Sequence, residues 1–449
     1  MVLPEQGVEW VDLLSRGFDV HLTMNDPSNA GSIYTDIQNT LTGGFVSYYT
    51  SWGPTLALDV YPSLGAPGGN ILSTFLLSQG GYRVESGTSM ATPFMAAVYA
   101  LVGQARGTFD PAELTMYLST TSRAQLWNDG TGTLKGLAPV PQQGAGLVQA
   151  YDAAFVTTHL STKGISFNDT DNFRTATFTI RNLGSEDVTY ELGNSPAYSM
   201  NSLSVESNYP QAYPNTIIAA AADLEFSKTS VTVPPRGRAD ITVEPTFAEA
   251  AAILTGLLPV YSGYITINGS NGENLAISYL GVRGSMYSAE VMNAEETGYD
   301  FEKFDRTSAS KQSSCRGNTT FTVPYPTLND TSPMPTFEDL SSYPSAEFVL
   351  NFGSRVVRAD VIPLSSNYTG PTTTVLGRKI AGSARGYPKQ YQPRTWFYAW
   401  FSGMLDDGYV VPEGEYELSV RALKLFGDPE KPYDYEDLYL SGFRLFYDR

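Results

Sequence analysis

One stretch, Gly87–Pro93 (Gly-Thr-Ser-Met-Ala-Thr-Pro), constrains the fold of this chain more than any other feature. The residues that follow, up to Ala105, are mostly small or apolar and leave no polar face, which predicts a buried helix. This helix would place the hydroxyl and the backbone N–H of Ser89 at its N-terminus, where N–H groups lack intrahelical partners and the helix dipole is positive. That geometry suits a nucleophile whose attack produces an oxyanion, although an N-cap serine on an ordinary core helix has the same pattern.

Three further blocks accompany this stretch, namely Ser51–Thr55 (Ser-Trp-Gly-Pro-Thr), Ala66–Ile71 (Ala-Pro-Gly-Gly-Asn-Ile) and Pro141–Val148 (Pro-Gln-Gln-Gly-Ala-Gly-Leu-Val). In this order the blocks resemble the serine segment and the closing block of the catalytic domain in subtilisin-like serine proteases. The resemblance implies that Ser89 is the catalytic nucleophile and that its backbone N–H forms part of the oxyanion hole. It also implies a protein or peptide substrate and a mostly parallel sheet wrapped by helices.

The same chemistry requires a histidine that takes the serine proton and a buried carboxylate that orients this histidine. The chain has two histidines, and neither stands in the family's His-Gly-Thr context. His21 lies in the alternating, strand-like run 18–23, and His159 lies beyond the resembling segment. Asp12 and Asp19 lack the family's Asp-x-Gly turn. The pattern therefore resembles the C-terminal part of a subtilase without its aspartate and histidine, and we expect the isolated chain not to cleave peptide bonds.

The asparagine that the family adds to its oxyanion hole is also missing, because Asn25 and Asn29 have other neighbours than the family's. A partial catalytic domain would leave apolar faces uncovered, so we expect residues 46–155 to be sparsely packed. Two functions stay open. The chain is an N-terminally incomplete subtilisin-like serine endopeptidase, or it is a non-catalytic binding or scaffold protein derived from a subtilase. The intact block around Ser89 favours the protease, because a long-degenerate site would be free to lose its serine.

Beyond residue 156, short alternating strands recur at regular spacing, which predicts β-sandwich structure. Three predicted strand pairs flank short turns: Ala176–Asn182 with Val188–Leu192, Val231–Val233 with Ala239–Val243, and Tyr264–Ile267 with Leu275–Tyr279. This region resembles the fibronectin-like domain of the fungal minor-extracellular-protease group and of streptococcal complement-peptide peptidases. The predicted fold is therefore multidomain, with a partial α/β subtilase catalytic domain followed by two β-sandwiches of fibronectin III-like type.

The predicted organisation has five parts. They are, in chain order, the tail of a protease-associated insert and its connection (1–45), the C-terminal part of the catalytic domain (46–155), the fibronectin-like sandwich (156–285), a linker or loops (286–342) and a second sandwich (343–449). The linker is inferred from a composition rich in Ser, Thr, Asn and Pro. Within the catalytic part, Asp110–Glu113 predicts a capped helix start with proline at the first helical position.

The formal net charge of −18 argues against nucleic acid or an anionic membrane as a partner. No apolar run reaches about 18 residues, so we expect no membrane span. The single cysteine, Cys315, cannot form an internal disulfide. Acidic pairs such as Asp406-Asp407 lack the spacing of a calcium loop, and we expect neither a metal nor a cofactor.

Five Asn-x-Ser/Thr sequons lie beyond residue 160 and favour a secreted, extracellular glycoprotein. They begin at Asn168, Asn268, Asn318, Asn329 and Asn367. The N-terminal residues Met1–Gln6 have neither the basic start nor the apolar core of a signal peptide, so that the family resemblance and the sequons alone carry the expectation of secretion.

Overall fold

The computed structural model of the chain describes residues 4–21, 43–206, 209–219, 221–247, 254–298, 319–327, 342–439 and 442–448. The chain divides into two compact units, Met1–Gly43 and Gly44–Arg449. The first unit holds helix α1 (Pro4–Ser15), after which Gly17 adopts a left-handed conformation at φ +82°. The strand predicted over residues 18–23 is wrong at residues 18–21, which are irregular, and residues 22–23 lie outside the described residues.

The second unit begins with a segment of short strands and helices, residues 44–155. Its elements are β1 (Ile71–Thr74), β2 (Tyr82–Glu85), α2 (Thr88–Arg106), α3 (Pro111–Thr120), β3 (Leu126–Asn128), β4 (Thr133–Leu137), α4 (Val140–Gln143) and α5 (Ala150–Phe155). Strand β1 pairs antiparallel with β2, and β3 pairs antiparallel with β4. Parallel contact within this described segment is limited to single bridges, so the mostly parallel sheet that the resemblance implies is not formed here.

Helix α2 is apolar on all sides, yet only one side is covered. Val98 and Val102 are buried, whereas Phe94 is 44% exposed and Leu101 is 63% exposed. The prediction of a fully buried helix is therefore wrong for the side that carries Phe94 and Leu101. The expectation of sparse packing is confirmed over residues 46–110, where Leu58, Val98 and Val102 are the buried apolar side chains.

At α3 and at residues 138–146 the segment is densely packed, and there the expectation of sparse packing is wrong. Helix α3 begins as predicted, because the carboxylate of Asp110 accepts a hydrogen bond from the backbone N–H of Ala112 at 2.8 Å. The apolar positions of α3 share a buried core with strands of the β-domain that follows. These positions are Leu114, Tyr117 and Leu118.

The first β-domain has two sheets, built from β5 (Thr158–Leu160), β6 (Gly164–Ser166), β7 (Ala176–Asn182), β8 (Val188–Pro196), β9 (Ser199–Asn201), β10 (Ile217–Ile218), β11 (Asp223–Phe226), β12 (Ser230–Val233), β13 (Arg238–Thr246), β14 (Pro259–Gly269) and β15 (Asn274–Val282). The larger sheet has the order β10-β9-β14-β15-β6, with β8 against β14 and β12 against β8, and the smaller sheet has the order β11-β13-β7-β5. Phe178 and Ile241 of the smaller sheet share one buried core with Tyr190 and Ile277 of the larger sheet. The two sheets therefore form two layers around that core.

Two of the three predicted strand pairings are wrong. Strand β7 pairs with β5 and β13, and β8 pairs with β12 and β14, so each short turn joins strands of opposite sheets. The alternation of apolar and polar residues shows which side chains face the core. It does not show whether the next strand pairs with the previous one or belongs to the opposite sheet, because both paths give the same sequence pattern. The third predicted pair is confirmed, because β14 and β15 are antiparallel neighbours across their Asn- and Gly-rich turn.

The second β-domain has three sheets. Its strands are β16 (Met292–Gly298), β17 (Thr319–Pro324), β18 (Ser345–Leu350), β19 (Ser354–Pro363), β20 (Thr373–Val375), β21 (Arg378–Ile380), β22 (Gly382–Ser383), β23 (Lys389–Gln392), β24 (Trp396–Trp400), β25 (Gly414–Leu423), β26 (Tyr435–Tyr439) and β27 (Phe443–Asp448). One sheet has the order β16-β18-β24, and a larger one has the order β17-β27-β25-β19-β22 with β23 and β26 attached. The third is the antiparallel pair of β20 and β21.

The prediction of a linker or loops over residues 286–342 differs from the structure at β16 and β17, which belong to the sheets of the second β-domain. Strand β17 carries Phe321 and Val323 at alternate positions, and both are buried. Because their neighbours are threonines, prolines and asparagines, the polar composition of the region hides this period of two. Composition alone therefore gave the wrong structure at β16 and β17.

One hydrophobic core joins all three parts of the second unit. It contains Leu58 and Val140 of segment 44–155, Tyr264 of the first β-domain and Val357 of the second β-domain. The segment is thus fixed against the β-domains by buried apolar side chains, and not only by the chain that connects them.

Candidate active site

Ser89 is the second residue of the 19-residue helix α2, and its side chain is exposed. Gly87 precedes the helix with an extended backbone, and its carbonyl accepts a hydrogen bond from the N–H of Met90 at 3.0 Å. The N–H groups of Thr88 and Ser89 come before this first bond, so they are free to face a ligand at the helix N-terminus. The hydroxyl and the N–H of Ser89 thus lie at a helix start, as predicted from the sequence, and their catalytic roles stay predictions.

The glycine-rich turn at residues 65–70 packs against the start of α2. The N–H of Gly87 donates to the carbonyl of Gly68 at 2.8 Å. A Cβ atom at Gly68 would lie 2.7 Å from the carbonyl oxygen of Gly87, so only glycine permits this approach. The N–H of Asn70 donates to Ser86 Oγ at 2.8 Å. No pattern in the sequence predicts this last contact, because Ser86 lies between the blocks that carry the resemblance.

The closing block, Pro141–Val148, packs along the same turn together with Val140, which precedes it. The N–H of Gly65 donates to the carbonyl of Gly146 at 2.8 Å, and the N–H of Val148 donates to the carbonyl of Gly65 at 2.9 Å. The N–H of Gly53 donates to the carbonyl of Pro141 at 2.7 Å. All four sequence blocks that carry the resemblance are therefore connected by backbone hydrogen bonds around the start of α2.

The two histidines lie in different units of the chain. His159 lies on β5, where its ring makes an edge contact with the ring of Tyr117 at a centroid distance of 5.5 Å. Burial, together with the positive charge of Arg181, lowers the pKa of His159, and its buried Nδ1 has no hydrogen-bond partner. His21 lies in the first unit and is exposed. Among the described residues, no histidine or carboxylate side chain hydrogen-bonds to Ser89 Oγ.

The other residues considered for the catalytic machinery are four residues of the first unit, Asp12, Asp19, Asn25 and Asn29. Asp12 accepts a hydrogen bond from Arg16 on the exposed surface of α1, and Asp19 is exposed. Asn25 and Asn29 lie outside the described residues. Over the described ranges of the chain, no group of three or more histidine, cysteine, aspartate or glutamate side chains is arranged to hold a metal ion. Within the same ranges no helix has both the length and the apolar character to cross a membrane.

The sequon asparagines differ in accessibility. Asn168 is only 7% exposed, and its side-chain amide donates to the carbonyl of Asn172 at 3.1 Å. Asn268 and Asn367 are exposed. Asn318 and Asn329 lie outside the described residues. Glycosylation stays a prediction at all five positions, and the exposed amides are the more accessible ones to a transferase.

The geometry can provide two of the groups that acyl transfer requires, a nucleophile and a donor to the oxyanion. An exposed hydroxyl and a free backbone N–H at the same helix start can attack a carbonyl carbon and bind the oxygen on which negative charge develops. A base that takes the proton of Ser89 is not among its described neighbours.

Two known families match this chain, one over the segment that carries Ser89 and one within the first β-domain. Residues 21–149 match the sequence model of the Subtilase family, and residues 165–280 match the model of an Fn3-like domain. The first match contains Ser89 together with all four blocks, and the second lies within the first β-domain. The chain therefore carries a subtilase-family domain followed by an Fn3-like domain.

Among curated relatives, the chain is similar to the PII-type proteinase of Lactococcus lactis subsp. cremoris, with 28% identity over 272 residues, covering 56% of this chain and 14% of the relative. It is also similar to the C5a peptidase of Streptococcus pyogenes serotype M1, with 25% identity over 281 residues, covering 58% of this chain and 22% of the relative. The chain thus spans less than a quarter of the length of either relative. Both relatives are bacterial, and the fungal type stays a prediction.

The solved structures with similarity to this chain include the E. coli chaperone DraB, at 9% identity and a TM-score of 0.19, covering 63% of this chain and 96% of that one. A TM-score this low carries no argument about the fold.

Proposed function

We propose that this chain carries the serine part of a subtilisin-like serine endopeptidase site, in which Ser89 is the nucleophile and the Ser89 N–H belongs to the oxyanion hole. The observation that carries the proposal is the exposed hydroxyl at the start of α2, held on the Gly68 turn within the segment that matches the Subtilase family. Ser89 Oγ attacks the carbonyl carbon of a peptide bond, and the Ser89 N–H donates to the resulting oxyanion.

We further propose that the general base and its orienting carboxylate come from sequence outside these 449 residues. Support comes from the two histidines, since His159 packs against Tyr117 and His21 lacks the family's context. In subtilisin, the reference case for this chemistry, loss of the histidine lowers turnover by about 10⁶-fold. The isolated chain is therefore expected to be inactive.

The substrate in this proposal is a protein or peptide, and the two β-domains position it or stabilise the protease. The site of action is extracellular, which is supported by the sequons with exposed asparagines, Asn268 and Asn367. The names of both relatives contain proteinase or peptidase, but each aligns over a minor part of its length.

The test is to join the chain to the coding sequence that precedes it in its gene and to measure hydrolysis of an unfolded protein substrate. We expect activity in the longer protein, loss of at least about 10³-fold in Ser89→Ala, and background rates for the 449-residue chain. Ser73→Ala, which changes an exposed serine on β1, is the matched control and should keep full activity.

Retention of activity in Ser89→Ala, or hydrolysis by the isolated chain at the rate of the longer protein, would contradict the proposal. A longer protein that is folded but inactive would favour the second function, a binding or scaffold protein derived from a subtilase. The observation that speaks for this alternative is the absence of a histidine or carboxylate at Ser89 Oγ among the described residues.

A further inference from the structure

We propose that Tyr264 and Ser262 of the Fn3-like domain are positioning residues for Ser89. They hold the closing block, and the closing block holds the turn on which helix α2 starts. The inference rests on the proposed function, because it concerns the same serine, but its principal test requires no catalysis.

The first step is a pair of buried hydrogen bonds across the boundary between the two domains. The hydroxyl of Tyr264 donates to the carbonyl of Gly144 at 2.9 Å, and Ser262 Oγ accepts from the N–H of Val140 at 3.1 Å. Tyr264 is 2% exposed and Ser262 is 0% exposed. The two residues are separated by one position on β14, so their side chains leave the same face of the strand and meet the closing block and Val140 together.

Close backbone contacts hold the closing block in place between the hydrogen bonds of Tyr264 and Ser262 and the turn at residues 65–70. Gly144 has a φ of +57°, and a Cβ atom there would lie 2.1 Å from the carbonyl oxygen of Pro62. The N–H of Ala145 donates to the carbonyl of Ser63 at 3.0 Å. Together with the two bonds between Gly65 and the closing block described above, these contacts bind residues 62–65 to the backbone that Tyr264 holds.

The turn at residues 65–70 is bonded to the start of helix α2. Gly68 accepts from the N–H of Gly87, and Ser89 follows two residues later. From Gly144 to Gly87 the connection consists of main-chain segments and main-chain hydrogen bonds, without a rotatable side chain between them. A change in the position of Gly144 therefore reaches the start of α2 directly, and a comparison of variants measures the energetic coupling.

The first β-domain offers a matched comparison for Tyr264. The hydroxyl of Tyr279 donates to Asn194 Oδ1 at 2.8 Å, and Tyr279 is 0% exposed. This bond has a similar length and burial, but both of its partners belong to the first β-domain. Tyr279→Phe therefore removes a buried phenol hydroxyl without removing a bond to the closing block.

The experiment is hydrogen–deuterium exchange, read by mass spectrometry, on the complete chain and its variants. In Tyr264→Phe we expect exchange about tenfold faster in peptides that cover residues 62–70 and 84–92, because one buried hydrogen bond that supports them is lost. In Tyr279→Phe these peptides should exchange at the wild-type rate, while peptides around Asn194 exchange faster. Ser262→Ala should change the same peptides as Tyr264→Phe, and it decides the question if Tyr264→Phe does not fold.

If residues 62–70 and 84–92 exchange at the same rate in the wild type, Tyr264→Phe and Ser262→Ala, the inference is overturned. An increase of the same size in Tyr279→Phe would overturn it as well, because Tyr264 would then only stabilise its own domain. In the longer, active protein, Tyr264→Phe should lower kcat with KM unchanged, whereas Tyr279→Phe should match the wild type. If the longer protein is inactive, the exchange experiment still reports the coupling, so failure of the proposed function and failure of this inference are distinguishable.

Discussion

Replacing Glu273 by glutamine tests how the start of the first β-domain, directly after the segment that carries Ser89, is held in place. The carboxylate of Glu273 accepts four hydrogen bonds, from the N–H and Oγ1 of Thr157 at 2.6 and 2.8 Å and from the N–H and Oγ1 of Thr158 at 3.0 and 2.5 Å. The hydroxyl of Thr158 has a single proton, which it gives to Glu273, so the hydroxyl of Tyr190 at 2.8 Å donates to Thr158. All acceptor positions of the carboxylate are thus used where the chain enters the first β-domain.

The expected loss follows from this arrangement. In Glu273→Gln an NH₂ group replaces one carboxylate oxygen, so that two of the four donors lose their acceptor and one backbone N–H faces another donor. A hydrogen bond to a charged acceptor contributes about 1.5–3 kcal/mol, and the half-buried position lets water recover part of this. We expect the free energy of unfolding to fall by about 2–3 kcal/mol near neutral pH.

The same carboxylate predicts a pH dependence. Burial acts to raise the pKa of Glu273, but the hydrogen bonds from Thr158 and Thr157 outweigh it and lower the pKa. Because the folded-state pKa is depressed, this stabilisation is present above the unfolded value of about 4.3 and is lost as the pH falls through the folded value. The difference between wild type and Glu273→Gln should therefore shrink below about pH 4.

The assay is urea unfolding of both proteins near neutral pH and near pH 3. Glu191→Gln is the control, since Glu191 is exposed and accepts one hydrogen bond, from Ser230. It should change the free energy of unfolding by less than about 0.5 kcal/mol. A Glu273→Gln effect as small as that of the control at neutral pH would refute the reasoning, and so would an effect of undiminished size near pH 3.

Two further predictions concern the interior of the same unit. Because burial and the charge of Arg181 lower the pKa of His159, wild-type stability should be full above about pH 6.5 and fall as the pH decreases below it, and His159→Gln should remove that fall in thermal unfolding between about pH 7 and 5. A pH profile identical to the wild type's would contradict this. Gly144→Ala should destabilise by more than about 2 kcal/mol in urea unfolding, since its Cβ would overlap the carbonyl of Pro62, whereas Gly69→Ala meets open space and should be neutral. Equal changes in the free energy of unfolding for Gly144→Ala and Gly69→Ala would contradict this prediction, because the closing block would then accommodate the added methyl group.

Local rules predicted the elements that depend on neighbours in sequence. Asp110 caps α3 because a short carboxylate can reach the free N–H groups of the first turn, and this requires nothing beyond the next three residues. The start of α2 after Gly87 likewise depends on residues that are close in sequence. The blocks that carry the family resemblance were likewise visible in the sequence, and the structure brings them together around Ser89.

Features that depend on distant parts of the chain were missed or predicted wrongly. The alternation in β7 and β8 could not show that these neighbours belong to opposite sheets. The apolar composition of α2 could not show which side stays uncovered. The contacts of Glu273 with Thr158 and of Tyr264 with Gly144 join residues more than 100 positions apart, at 115 and 120. Such pairs leave no periodic signal in one sequence, because each residue alone is compatible with many partners.

The most direct measurement of the central claim is covalent labelling with a fluorophosphonate, followed by mapping of the adduct by mass spectrometry. We predict near-stoichiometric labelling of Ser89 in the longer protein, and no Ser89 adduct above hydrolytic background in the 449-residue chain. Stoichiometric labelling of Ser89 in the isolated chain would show that its base is present there. Labelling of another residue, or of none, in the longer protein would contradict the role of Ser89 as the nucleophile.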